Sequence, residues 1–99
     1  MRIVITQDAK ADLIEIGDFI RPNNPTKAAN FVDQLIDRCH RLAAMPRAYP
    51  LVPRYEYLGI RLYVFQDYLI FYRVQEDLVE IIRVINGVQD YEKFLFTNF

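Results

Sequence analysis

An α+β fold of order β-α-α-β-β-β, with a helical hairpin packed on a curved, mainly antiparallel sheet, is what this 99-residue sequence predicts. Three observations lead there. Two amphipathic segments with helical period flank Arg21-Pro22-Asn23-Asn24, and so short a connection makes the helices antiparallel neighbours. Three β-rich runs then follow one another with turns of two and three residues, Gln66-Asp67 and Gln75-Glu76-Asp77, which only an antiparallel meander can use. Finally, the hairpin from Tyr68 to Asp90 is apolar on both faces, with Tyr68, Ile70, Tyr72 and Val74 on one and Leu69, Phe71 and Arg73 on the other. A small antiparallel sheet usually wets one face, so the second must be covered, and a chain this short points to a partner protein as the cover.

Each element has its own local reason. Arg2 to Thr6 is a β-branched run and reads as a strand. Thr6 then caps a helix whose first turn holds Asp8, suited to the positive end of the helix dipole. Ala9, Leu13, Ile16 and Ile20 recur at helical spacing, with Asp12, Glu15 and Asp18 turned outward and Gly17 weakening the helix slightly. Asn24 caps the second helix and Pro25 takes its first position. That helix runs to about Met45 along a stripe of Ala28, Phe31, Val32, Leu35, Cys39 and Leu42. Pro46, Pro50, Pro53 and Gly59 make residues 46–59 an irregular connection. Strands are expected at Ile60–Phe65, Tyr68–Val74 and Leu78–Ile85. The tail from Val88 to Phe99 adds one helical turn, and its Phe94, Leu95, Phe96 and Phe99 are too apolar to hang free.

Length and a 53% hydrophobic composition fit one folded domain, residues 1–99. The chain has no long apolar run and no secretory start, so a cytoplasmic protein without a membrane partner is expected. A lone cysteine, Cys39, fits a reducing compartment and reads as a core filler. The net charge of −1 is uneven: residues 38–73 carry six arginines against two acids, while both flanking thirds are acidic. This arginine island admits two readings, a solvated surface or a docking patch for an acidic partner or nucleic acid.

The residue types narrow the chemistry. There is no serine, no tryptophan and a single histidine, which excludes a Ser-His-Asp hydrolase. One His and one Cys cannot build a structural zinc site, and isolated Gly17, Gly59 and Gly87 make no phosphate loop. His40 lies three residues after Asp37, a spacing of surface contacts. No metal and no cofactor is expected. One catalytic style survives: RNA cleavage with Arg61, Arg73 and Arg83 as cations beside the phosphate and Tyr63 or Tyr72 for proton transfer. Strand arginines beside tyrosines also arise as plain edge contacts.

With these elements in order, the chain resembles the RelE/ParE superfamily of type II toxin–antitoxin toxins. The stretches that carry the resemblance are AKADLIEIGDFI at 9–20, NPTKAANFVDQLIDRCHRLAAMP at 24–46, GIRLYVFQDYLIFYRV at 59–74 and VEIIRVINGVQD at 79–90. The RNA-cleaving RelE branch places cations where Leu69 and Gln89 stand here, and has lysines before the sheet where 46–58 has none. The Asn-Pro helix start and Gly-x-x-Asp ending are closer to the ParE branch, whose members inhibit DNA gyrase by protein contact and are associated with plasmid stabilisation. A ParE member often has a basic residue where Val88 or Gln89 stands, and this chain departs from that.

The resemblance implies a non-catalytic toxin with two protein partners and no direct nucleic-acid partner. One is a cognate, ParD-like antitoxin, meeting Leu13, Ile16, Phe31, Leu35, Arg61, Tyr63, Phe71 and Arg73. The other is DNA gyrase or a related topoisomerase, meeting Arg83, Gln89, Asp90 and Phe94. The alternatives are a RelE-like, ribosome-dependent mRNA endoribonuclease and a binding module without toxicity.

Overall fold

The computed structural model describes residues 1–97, with side chains through Leu95. Strand β1 (Arg2–Ile5) leads into helix α1 (Gln7–Ile20) through Thr6, whose extended backbone lets its Oγ1 accept the Ala9 N–H at 3.2 Å. Asn24 does the same for α2 (Pro25–Arg41), its Oδ1 accepting from the Lys27 N–H at 3.0 Å. The second helix stops four residues short of Met45. The N–H groups of Leu42, Ala43 and Ala44 each bond back three residues instead of four, a tightening imposed as the chain approaches Pro46. Gly17 does more than weaken α1. A Cβ there would lie 3.4 Å from Val32 Cγ2, so its bareness lets the two helices close on each other.

Strands β2 (Ile60–Phe65), β3 (Tyr68–Gln75) and β4 (Leu78–Asn86) form the expected meander, and β1 joins it parallel to β4, giving the order β1-β4-β3-β2. The α+β class and the mainly antiparallel sheet thus stand, with β1–β4 the parallel exception. Both tight turns enter through a residue with positive φ, Gln66 at 53° and Glu76 at 49°. The β3–β4 ladder slips once: Phe71 faces Arg83 while Tyr72 faces Ile81, so Ile82 is an extra residue in a bulge. The tail forms α3 (Tyr91–Thr97), two turns rather than one; the expectations for Phe96 and Phe99 lie outside the described side chains.

The helical hairpin covers one sheet face, where Leu13, Ile16, Phe31, Leu35 and Cys39 meet Ile70, Tyr72, Val79, Ile81 and Val84. Burial pushes the Cys39 thiol up to about 12, as suits a core filler. The second face is not left for a partner, which corrects the expectation drawn from the hairpin. Val52, Ile60, Phe71, Ile82, Ile85 and Leu95 form a second core there, flanked by Tyr55, Leu58, Tyr91 and Phe94. Its cover is the chain's own 46–59 connection and α3. The connection is tied down by the buried Tyr72 hydroxyl, which donates to the Pro46 carbonyl at 2.8 Å, and by Arg61, which donates to the Tyr49 carbonyl at 2.7 Å. Backbone bonds from Val52 N–H to Ile60 and from Leu62 N–H to Pro50 align it along β2, and the Tyr55 hydroxyl donates to the Glu92 carboxylate of α3.

Candidate protein-docking groove

The site begins with a backbone problem. β1 ends at Ile5, paired with Ile81, but β4 continues to Asn86, so its outer edge would carry unpaired polar groups. The turn into α1 answers it. Thr6 N–H donates to the Ile81 carbonyl and the Thr6 hydroxyl to the Ile82 carbonyl, each at 3.1 Å. Asp12, six residues further along α1, accepts the Val84 N–H on Oδ2 at 2.9 Å.

The bulge at Ile82 re-aims the next side chain, and Arg83 reaches the same carboxylate. Its Nε donates to Oδ2 and its terminal nitrogen to Oδ1, both at 2.8 Å, a forked pair. Asp12 is only 7% exposed, which overturns its expected outward orientation. The spacing held the signal: Asp12 sits at i+3 from Ala9 and i−4 from Ile16, inside the apolar stripe. The guanidinium also lies over the Phe94 ring, 4.7 Å from its centroid, so α1, β4 and α3 meet at one cation. The hydrogen bonds Arg83 donates to Asp12, with help from the Asp12, Asp8 and Glu15 charges, raise the Arg83 pKa against the opposing effect of burial.

Above this pair lies an open groove of about 320 Å³ between α1 and the end of β4. Arg83, Gln89 and Phe94, three of the four expected target-binding residues, line it together. Asp90 does not; its carboxylate accepts the Glu92 N–H and starts α3. Sequence reasoning missed the opposite wall, Glu15 and Phe19 of α1, and Val88 in the turn. Phe19 is 79% exposed and Val88 92%, large apolar groups that the fold itself does not use. The only available signal was that an aromatic at 19 falls off the Ala9–Leu13–Ile16–Ile20 stripe.

The expected antitoxin contacts divide. Leu13, Ile16, Phe31, Leu35 and Phe71 pack into the domain's cores, none more than 8% exposed, although Leu13 also lines a groove beside the helical hairpin and Ile16 the groove above Asp12 and Arg83. Arg61, Tyr63 and Arg73 stay partly accessible but engaged: Arg61 on loop carbonyls, the Tyr63 hydroxyl accepting from Arg38 at 3.1 Å, and Arg73 paired with Glu80 across the strands at 3.0 Å. A second open groove of about 350 Å³ runs along the outer side of the helical hairpin, lined by Ile14, Gly17, Ala29, Val32 and Ile36 among others. Ile14 is 65% exposed there. Among the described residues no group of three His, Cys, Asp or Glu side chains could hold a metal ion, and no helix is long and apolar enough to cross a membrane.

The family model described as "ParE toxin of type II toxin-antitoxin system, parDE" matches residues 3–91. Among solved structures, a chain from the chromosomal ParDE TA system of P. aeruginosa is similar, with a TM-score of 0.75 at 23% identity, covering 87% of this chain and 95% of that one. At that identity the likeness speaks to fold. No curated protein matches.

Proposed function

This chain belongs to the ParE toxin family of type II toxin–antitoxin systems, and we propose that it acts in the cytosol by binding DNA gyrase or a related topoisomerase and is neutralised by a co-expressed antitoxin. The observation that carries this reading is the state of the groups an RNA-cleaving mechanism would need. The Tyr72 hydroxyl is fully buried and donates to the Pro46 carbonyl; Arg83 is clamped by Asp12; Arg61 and Arg73 hold a loop and a neighbouring strand. Burial raises the Tyr72 pKa, the wrong direction for a base at neutral pH. Groups so engaged are not poised together for a phosphate, whereas exposed apolar side chains beside a groove suit protein contact, and this contrast supports the reading.

The antitoxin has a separate place to sit. The helical-hairpin groove, with Ile14 at its lip, accepts the apolar side of a partner helix in the way of other helix-in-groove interactions. Its acidic segments are drawn to the arginine island, with charge steering the encounter more than adding affinity.

The test is expression without antitoxin. Growth arrest with induction of the DNA-damage response, and intact translated messages by primer extension, are expected. Cuts at fixed codon positions on ribosome-bound messages would overturn the proposal in favour of the endoribonuclease reading.

A further inference from the structure

The groove above the Asp12–Arg83 pair has a floor and a rim of different character. In the floor every strong polar group is satisfied: the Asp12 carboxylate takes three donors, two from Arg83 and one from Val84 N–H, and Arg83 is covered by Phe94. A floor so closed offers a ligand shape but little new hydrogen bonding. The rim is different. Glu15 forms no ion pair among the described residues, and neither does Asp8 one turn before Asp12. Arg83 is already neutralised by Asp12, so Glu15 is left as an uncompensated carboxylate on the groove.

The rim also carries Phe19 from α1 and Val88 from the turn after β4, facing across the same opening. Val88 is not loosely held; its N–H donates to the Asn86 side-chain oxygen at 2.9 Å, which sets the turn. An exposed aromatic on α1 and an exposed aliphatic group in the turn, beside the Glu15 carboxylate, form the complement of a short segment carrying an apolar side chain next to a cation.

We propose that this groove is where the toxin grips its target, seating a protein segment in which a lysine or arginine lies against Glu15 while an adjacent apolar side chain enters between Phe19 and Val88. The assignment rests on the function proposed above and adds to it the surface and the chemistry of the bound segment. The sign of the charge selects the occupant: an acidic antitoxin segment is repelled here and favoured at the arginine island, so the two partners use different faces of α1, Glu15 and Phe19 on one and Ile14 on the other.

The experiment uses the full chain, released from its antitoxin and immobilised, with the two purified gyrase subunits and then the antitoxin as analytes. Phe19→Ala is expected to weaken binding of the gyrase subunit about tenfold or more, as loss of a central aromatic contact does. Glu15→Lys is expected to do the same chiefly through slower association, with a weaker dependence on salt. Asp37→Lys, an equal change of charge on the exposed side of α2, should leave gyrase binding unchanged, and all three variants should hold the antitoxin within about twofold of wild type. Wild-type binding that Phe19→Ala and Glu15→Lys leave intact would overturn the groove assignment while sparing the function. Equal losses toward antitoxin and gyrase, or an equal effect of Asp37→Lys, would overturn it too. If the wild-type chain binds neither gyrase subunit nor the subunits of a related topoisomerase run in parallel, the function and the groove assignment fall together.

Discussion

Replacing Asp12 with alanine removes one acceptor from three donors at once, and the consequence can be worked from the geometry. The two side chains of the Asp12–Arg83 pair are 8% and 15% exposed, so the discount that applies to surface ion pairs does not apply here. Breaking a buried pair by deleting one partner costs about 3–5 kcal/mol, because the remaining charge is left in a poor solvent. A domain of this size has only about 5–15 kcal/mol in hand, so the variant should stand near the edge of folding. At about 4–8 °C per kcal/mol, even a 3 kcal/mol loss lowers the Tm by about 12–24 °C. Asp12→Asn keeps an acceptor for the Val84 N–H and should lose less. The double change Asp12→Leu with Arg83→Met removes both charges, and a coupling energy of at least about 2 kcal/mol between the positions is expected. Urea unfolding of the antitoxin-free chain, followed by far-UV circular dichroism, reads wild type, these variants and the single changes Asp12→Leu and Arg83→Met that complete the cycle. An Asp12→Ala chain within about 0.5 kcal/mol of wild type would refute the claim that this pair locks α1 to β4.

Other expectations follow from the same packing. Tyr72→Phe strands the Pro46 carbonyl and should cost about 1–2 kcal/mol in the same unfolding assay, with faster proteolysis inside 46–59. The Cys39 thiol should resist thiol reagents in the native chain at pH 8. Because an unfolded thiol ionises near pH 9 while the folded one holds its proton to about 12, stability should be unaffected by this group below pH 9 and fall between those values. The slope should approach about 1.4 kcal/mol per pH unit, and Cys39→Ala should flatten it. Gly17→Ala should be nearly neutral, since a gain of up to about 1 kcal/mol in helix propensity is opposed by contacts at 3.3 Å and 3.4 Å. Gly17→Leu should cost about 1–3 kcal/mol by forcing α1 from α2.

What could be read from the sequence was local. Thr6 and Asn24-Pro25 announce helix starts because a cap bonds within three residues, and the short turns at Gln66 and Glu76 admit only a meander. What escaped was non-local. Val52, Tyr55 and Leu58 cover the second sheet face from a stretch whose prolines hide any period, so the apolar hairpin was assigned to an outside partner when the chain closes it itself. Asp12 and Arg83 stand 71 residues apart and meet only because a bulge turns Arg83 aside. For the candidate site, three residues the resemblance pointed to, Arg83, Gln89 and Phe94, line one groove together. Leu13, Ile16, Phe31, Leu35 and Phe71, read from the resemblance as contact surface, serve the fold chiefly as core, with Leu13 also lining the helical-hairpin groove. Exposure, not hydrophobicity, marks a docking residue, and exposure cannot be seen until the second helix and the tail have been placed.

The most direct measurement is a DNA supercoiling reaction with purified gyrase, titrated with the antitoxin-free chain. Supercoiling should fall as the toxin is added and return when equimolar antitoxin is supplied. Undiminished supercoiling, alongside message cleavage when the same preparation meets translating ribosomes, would contradict the account.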